Sequence, residues 1–258
     1  MDEFIPQYNY VVVKLDLRNY KNLSQHLSKP YDLNLVKVLQ LVGSSLMTRF
    51  NPDTIYIGYY QIVLFFSSKC SINEFEQLYK NPNKKIESHI YNGSTNMILS
   101  LISSYCSVKF NHYLEKIFNQ EKINHNYSKE LEDLIYKNEQ IFTGTINYSH
   151  ESHEIIQYFD SKCAKKSYSN YFYDIAKHYL GESNILGKDS QEIIQMFNFI
   201  GTNIDMESDL YILHGLYLKK NSSYDCVYKK YIGTNLHNQL FSNIWLYDEN
   251  FEEFNNFT

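Results

Sequence analysis

The sequence is poor in chain breakers, with 9 Gly and 4 Pro among 258 residues. That excludes collagen-like and Pro/Gly-rich disordered chains. Cysteine is scarce as well: Cys70, Cys106, Cys163 and Cys226 are dispersed, with no CxxC pair. Zinc ribbons, thioredoxin-type redox motifs and dense disulfide frameworks are thereby disfavoured. Long apolar runs are missing; one of the longest, Ile62 to Phe66, is far too short to span a bilayer. The start, Met1 to Pro6, lacks the basic and apolar regions of a signal peptide. These absences give the expectation of a soluble, cytoplasmic protein with reduced thiols and no membrane partner. Nor is there a large excess of one charge: Lys and Arg total 24 against 29 Asp and Glu, a net −5. A highly basic coat protein for nucleic acid is excluded, while a local basic patch is not. What is abundant is ring area, 25 Tyr and 16 Phe, enough for a large core. The excess of Tyr, Asn, Ile and Lys is also what an AT-rich genome produces.

Tyr10 to Asp16, YVVVKLD, reads as a buried strand ending at a carboxylate. Asp32 is placed to cap a helix from Leu33 to Phe50, where Leu35, Val38, Leu39, Val42, Leu46 and Phe50 recur at helical spacing and Asn51-Pro52-Asp53 stops the run. Thr54 to Phe66 reads as two strands turning near Gly58 to Gln61. Short helical character follows over Ser71 to Tyr79, a loop at Asn81-Pro82-Asn83, and a long helix over Ser94 to Phe118. Glu139 to Tyr148 is a candidate strand. Helices are expected over Glu151 to Tyr179 and Ser190 to Phe199, and strand-like pieces over Tyr211 to Leu218 and Asp225 to Ile232. The order β-α-β-β-α-β followed by helices is the split βαβ pattern of a ferredoxin-like fold. The expected architecture is α+β: a palm over 1–150, with a helical C-terminal part over 151–258 packed on it.

Leu15-Asp16-Leu17-Arg18-Asn19-Tyr20, followed by His26-x-x-Lys29-Pro30-Tyr31-Asp32, is a distinctive run. It resembles the tRNA(His) guanylyltransferase family, the 3′–5′ nucleotide-adding polymerases, in which a strand ends in Leu-Asp-Gly-Arg before a His-x-x-x-Lys-Pro-x-Asp variant. Tyr91-Asn92-Gly93-Ser94 resembles the family's Gly-Gly-Arg segment, and Leu186-Gly187-Lys188-Asp189-Ser190 its His-Gly-Lys-Ser motif. The correspondence runs in order over roughly residues 8 to 200. It implies a polymerase-like palm binding Mg2+ and a nucleotide, GTP or ATP, that acts on a tRNA 5′ end by two-metal phosphoryl transfer. It implies Asp16 and the Leu17 carbonyl as metal ligands, and Arg18, His26, Lys29, Asp32 and Lys188 as nucleotide-binding residues. It also implies oligomers, as homo-oligomers or with an active relative.

The sequence departs from the family at chemically decisive points. Leu17 replaces Gly and is expected to add bulk where a metal or triphosphate approaches. The second metal carboxylate of the family sits in a Ser-Asp-Glu turn. Here Gly58-Tyr59-Tyr60-Gln61 runs directly into Ile62 to Phe66, with no such triplet. Asp53 lies at the wrong end of a strand and Gln61 is neutral. The family's Phe-Asp-x-Arg corresponds to Phe142-Thr143-Gly144-Thr145, and its Arg-Asn-Ser cluster to Tyr168-Ser169-Asn170. One carboxylate holds a divalent ion weakly and does not fix two.

Three readings follow. The first is a degenerate family member that binds RNA, a nucleotide or an active relative with little or no catalysis. The second is an active nucleotidyltransferase anchored on Asp16, with Lys29 and Lys188 on the triphosphate. The third is an oligomeric scaffold. Lys84-Lys85, Lys162-Lys165-Lys166, Lys219-Lys220 and Lys229-Lys230, with Tyr168, Tyr171, Tyr224, Tyr228 and Tyr231 nearby, are candidates for an RNA-facing surface. GESNILGK over 181–188 misses the P-loop spacing. His150, Glu151, His153 and Glu154 read as a polar helix start rather than a metal site, and Cys163 as a half-buried structural cysteine.

Overall fold

A computed structural model describes residues 3–18, 20–81, 85–121, 128–137, 139–201, 215–220, 226–230 and 240–241. The strands are β1 (Tyr10–Leu17), β2 (Thr54–Gly58), β3 (Gln61–Phe66), β4 (Phe142–Ser149), β5 (Leu216–Lys220) and β6 (Cys226–Lys230). They form one six-stranded sheet in the order β4-β1-β3-β2-β5-β6, antiparallel at every pairing. The first four strands give the expected ferredoxin-like arrangement, and β5 and β6 extend it. Of the strand-like pieces expected near the end, 211–214, 225 and 231–232 lie outside the described residues, as do Pro82 and Asn83 of the expected loop.

Between the strands run α1 (Tyr20–Ser24), α2 (Leu33–Phe50), α3 (Ile72–Lys80), α4 (Thr95–Glu121) and α5 (Lys129–Tyr136). Helix α2 begins and ends where its sequence dictates. Asp32 accepts hydrogen bonds from the N–H groups of Asn34 and Leu35, and Asn51 closes the helix in the left-handed conformation at φ 53°. Ser71 and Glu74 form a capping box at α3. Helix α5 was not expected from hydrophobic spacing. It is short, and its start is set by Ser128, whose side chain accepts from the Leu131 N–H.

The second half of the chain contributes α6 (Ser152–Phe159), a five-residue π-helical turn (Asp160–Ala164), α7 (Lys165–Leu180), the single turn α8 (Glu182–Ile185) and α9 (Ser190–Phe199). The sheet is covered on both faces. Val11, Val13, Leu15 and Leu17 of β1, with Ile62, Leu64 and Phe66 of β3, pack against α2 and α4. Val12, Val63, Phe65 and Tyr56 face the other way, onto Ile155, Phe159 and Cys163 of the α6 segment. Strand alternation therefore assigns Lys14, Asp16 and Gln61 to the α6 face. No helix among the described residues is long and apolar enough to cross a membrane.

Candidate functional site

The ends of β1 and β3 meet beneath the π-helical turn. In register, Asp16 stands opposite Gln61 on β3 and Thr143 on β4, both neutral. Directly paired residues point to the same face, so a carboxylate at either position would have faced Asp16. The buried Gln61 instead donates from Nε2 to the Cys163 carbonyl at 2.8 Å. A π-bulge widens the backbone ladder locally, and here it presents that carbonyl to the sheet. Two residues earlier on β1, Lys14 occupies the same face as Asp16. Its Nζ donates to Asp16 Oδ2 at 2.6 Å. The lysine side chain is 10% exposed and the aspartate side chain 45%. Asp16 therefore reaches solvent, while its positive partner comes from inside the fold. This donor set, one carboxylate already in contact with an ammonium, does not fit a pair of divalent ions.

The β2–β3 turn is only two residues, Tyr59 and Tyr60, with Tyr60 in the left-handed region at φ 51°. Its carbonyl accepts from the Leu17 N–H at 2.9 Å. The Tyr20 ring stacks on Tyr60 at 4.7 Å, and Tyr59 meets Tyr171 edge-on at 4.7 Å. The turn is fastened to α7 twice: the Tyr59 N–H donates to Ser167 Oγ at 2.6 Å, and the Tyr59 hydroxyl to Asp174 Oδ2 at 2.6 Å. Burial, together with the Asp174 carboxylate that takes its hydrogen bond, holds the Tyr59 phenol far above its ordinary pKa; burial does the same at Tyr60. Neither ring is an acid or base at neutral pH. The turn at this end of the sheet is a neutral aromatic clasp.

The other residues singled out from the sequence have separate settings. Leu17 does not add bulk near Asp16, contrary to expectation. Its side chain is buried in the α2–α4 core, because consecutive strand residues face opposite sides. Arg18 is exposed at the end of β1, and its N–H donates to the Ile141 carbonyl. His26 is half-buried, with Nδ1 3.4 Å from Ser128 Oγ. Exposed Lys29 donates from Nζ to the Ser24 carbonyl at 2.6 Å. Asp32 is 5% exposed, and its carboxylate is engaged by three backbone N–H groups, those of Asn34, Leu35 and Ser28. Lys188 lies apart, in a shallow groove between α7 and α9 with Leu180, Met196 and Phe199.

Burial also revises part of the expected RNA-facing surface. Tyr171 belongs to the α7–α9 core, and Lys219 is 3% exposed rather than on a solvated face. Lys162, Lys165 and Lys166 are exposed, Lys165 pairing with Asp160 at 2.6 Å. Lys84, Tyr224 and Tyr231 lie outside the described residues. Cys163 is fully buried rather than half-buried, and burial pushes its thiol up to about 12. Glu151, His153 and Glu154 cluster at the exposed start of α6, with His153 Nδ1 3.0 Å from Glu151 Oε2. Sequence reasoning missed Lys14. Its period-2 relation to Asp16 within VVVKLD is the signal that places it on the same face.

The fold has clear relatives. It is similar to a bacterial tRNA(His) guanylyltransferase-like protein in complex with ATP, at a TM-score of 0.66 and 14% identity over 87% of this chain and 86% of that one. The tRNA(His) guanylyltransferase of Saccharomyces cerevisiae aligns at a TM-score of 0.62 and 16% identity, covering 85% and 89%. In sequence, the chain is 25% identical over 222 residues to an uncharacterised protein of Acanthamoeba polyphaga mimivirus, covering 84% of this chain and 72% of that protein. Residues 1–166 match the tRNAHis guanylyltransferase family. The match takes in β1, the tyrosine turn and the π-helical turn that together build the site, and on this ground the chain belongs to the tRNAHis guanylyltransferase family.

Proposed function

We propose that this chain is a family member that has lost nucleotide addition and kept binding, acting in the cytoplasm on tRNA or a similar RNA, on a nucleotide such as ATP or GTP, or on an active relative. The observation that carries the reading is the register of β1 and β3: the position facing Asp16 holds Gln61, whose amide is committed to the Cys163 carbonyl. Two-metal phosphoryl transfer needs a second anionic ligand to clamp the attacking and leaving oxygens. A neutral amide turned toward a backbone carbonyl does not supply it.

Retained binding is supported by three things. Relatives of the same fold are complexes with ATP and with GTP. The family is that of the tRNAHis guanylyltransferases. Lys162, Lys165 and Lys166 form an exposed basic cluster where the π-helical turn joins α7, suited to a phosphate backbone. Arg18 and Lys29 add exposed positive charge near the end of β1.

The test is incubation of the full chain with magnesium, ATP, labelled GTP and tRNAs with intact or shortened 5′ ends, alongside a tRNA gel shift. A shift that weakens when Lys162, Lys165 and Lys166 are changed to Ala, without incorporation, is expected. Incorporation that disappears in Asp16→Ala would make the chain an active 3′–5′ polymerase and overturn the proposal; absence of both signals would overturn its binding half.

A further inference from the structure

We propose that the start of α6 is a binding site for a borderline transition metal such as zinc, built from His150, Glu151, His153 and Glu154. The site is independent of the proposed function. It lies at the far end of β4 from Thr143, the residue that faces Asp16.

From the chain alone this stretch reads as a polar helix start. Folding gathers its donors. Ligand atoms of Glu151, His153 and Glu154 all lie within 4.8 Å of one another, and among the described residues this is the one group of three such side chains that converge. His153 Nδ1 stands 3.0 Å from Glu151 Oε2, and His150 Nε2 stands 3.6 Å from Glu151 Oε1. Two ligand atoms on a tetrahedral zinc, each bonded at roughly 2.0 Å, are about 3.3 Å apart. The two observed separations bracket that value. The side chains of His150, Glu151 and His153 are 49%, 48% and 71% exposed, so they can rotate onto an ion without backbone movement.

Helix capping does not explain the arrangement. Asp32, Ser71, Ser128 and Asp189 commit their side chains to backbone N–H groups at the starts of α2, α3, α5 and α9. Glu151 holds the same position on α6 and makes no such bond. Its carboxylate is turned to the two imidazoles instead. Nor is the charge neutralised by basic residues. Asp160 and Glu182 pair with Lys165 and Lys177, whereas Glu151 and Glu154 have no lysine or arginine partner among the described residues. Two carboxylates beside two neutral imidazoles carry two negative charges, which one divalent cation cancels. Ser149 orients both acids: its hydroxyl donates to Glu154 Oε2 and accepts from the Glu151 N–H at 3.0 Å. Hydrogen bonds of this kind hold ligating carboxylates in place.

The donor set selects the ion. Two nitrogens with two carboxylate oxygens suit zinc and similar metals, while magnesium and calcium prefer six or more oxygens. The His150 ring meets Tyr8 edge-on at 6.4 Å, and Tyr8 meets Phe75 of α3 at 4.8 Å. A bound ion would therefore clip the start of α6 beside the N-terminal segment and α3.

The experiment is a Co2+ titration of the full chain, freed of metal by a chelator and read by visible absorption, followed by displacement with Zn2+. Wild type, His150→Ala, Glu151→Gln and His153→Ala are compared, each checked by circular dichroism; the altered side chains are exposed, so the fold should persist. Wild type is expected to bind one equivalent with the intense bands of four-coordinate Co2+, displaced by Zn2+ and not by excess Mg2+. Each substitution should weaken binding at least about tenfold. Zn2+ at a hundredfold excess over its Kd should raise the wild-type Tm by about 5 °C and leave Glu151→Gln/His153→Ala unmoved. The pale bands of six-coordinate Co2+ in wild type would overturn the proposal, as would binding of equal affinity in the folded variants.

Discussion

Replacing Asp32 with Ala separates a structural carboxylate from a ligand-binding one. The family resemblance assigns Asp32 to nucleotide binding, yet the structure gives its two oxygens to three backbone donors. Oδ1 accepts from Asn34 N–H at 2.9 Å and Leu35 N–H at 3.2 Å; Oδ2 accepts from Ser28 N–H at 3.1 Å. Loss of an N-cap carboxylate costs about 1 kcal/mol, with a range reaching about 2. The Ser28 bond is a separate interaction that ties the preceding loop to the helix start. A hydrogen bond to a charged group contributes about 1.5 kcal/mol or more. Together the expected loss is about 2–3 kcal/mol, or a fall in Tm of roughly 4–10 °C for a chain of this size. Asp32→Asn, which keeps a cap oxygen, should recover about half. The assays are urea unfolding and thermal melting in buffer without nucleotide, with nucleotide binding measured separately below the transition. The reasoning is refuted if Asp32→Ala leaves stability within about 0.5 kcal/mol of wild type, the range of ordinary surface changes. Loss of nucleotide affinity in a variant of unchanged stability would point to a ligand role instead.

Burial lowers the pKa of His89, which is 4% exposed with Nε2 3.2 Å from the Pro6 carbonyl. The unfolded chain takes up a proton near pH 6.5 that the folded chain refuses, so this residue's contribution is full above that value and falls as pH drops below it; His89→Gln should flatten the decline in chemical denaturation between about pH 7 and 5. Burial likewise pushes the Cys163 thiol up to about 12 and raises Cys106 well above its ordinary value. Both should resist iodoacetamide across about pH 6–9 in the native state and react readily in denaturant, whereas rapid native labelling of Cys163, read by mass spectrometry, would contradict the packing of the π-helical turn over the sheet.

Much of the fold is local and therefore legible in the chain. The apolar spacing of Leu35 to Phe50, the Asp32 cap and the Asn51-Pro52 stop specify α2 from within its own residues. The same holds for the capping box of α3 and for the hairpin around Tyr59-Tyr60. The site was legible only in part. Asp16 stands out by sequence order, and the neutral turn is visible as Gly58 to Gln61 running into an apolar strand. Lys14 hid inside that same kind of run, where its neighbours Val13 and Leu15 read as core. Tyr171 and Lys219 looked like surface groups because a helix face or sheet face shows its environment only once its partners are packed.

Sequence by itself placed most of the elements, the Asp32 cap, the family resemblance and the lack of an acidic triplet between Gly58 and Ile62, because each depends on residues close together in the chain or on short motifs in order. Only the tertiary structure decided what stands beside Asp16. Antiparallel register set Gln61 opposite Asp16, and the π-helical turn, joined to β3 across 102 positions of sequence, brought the Cys163 carbonyl to receive the Gln61 amide. Packing of α6 and that turn over the sheet then buried Lys14 against Asp16, and an ammonium held in that setting by low exposure is a charge that no linear spacing reveals.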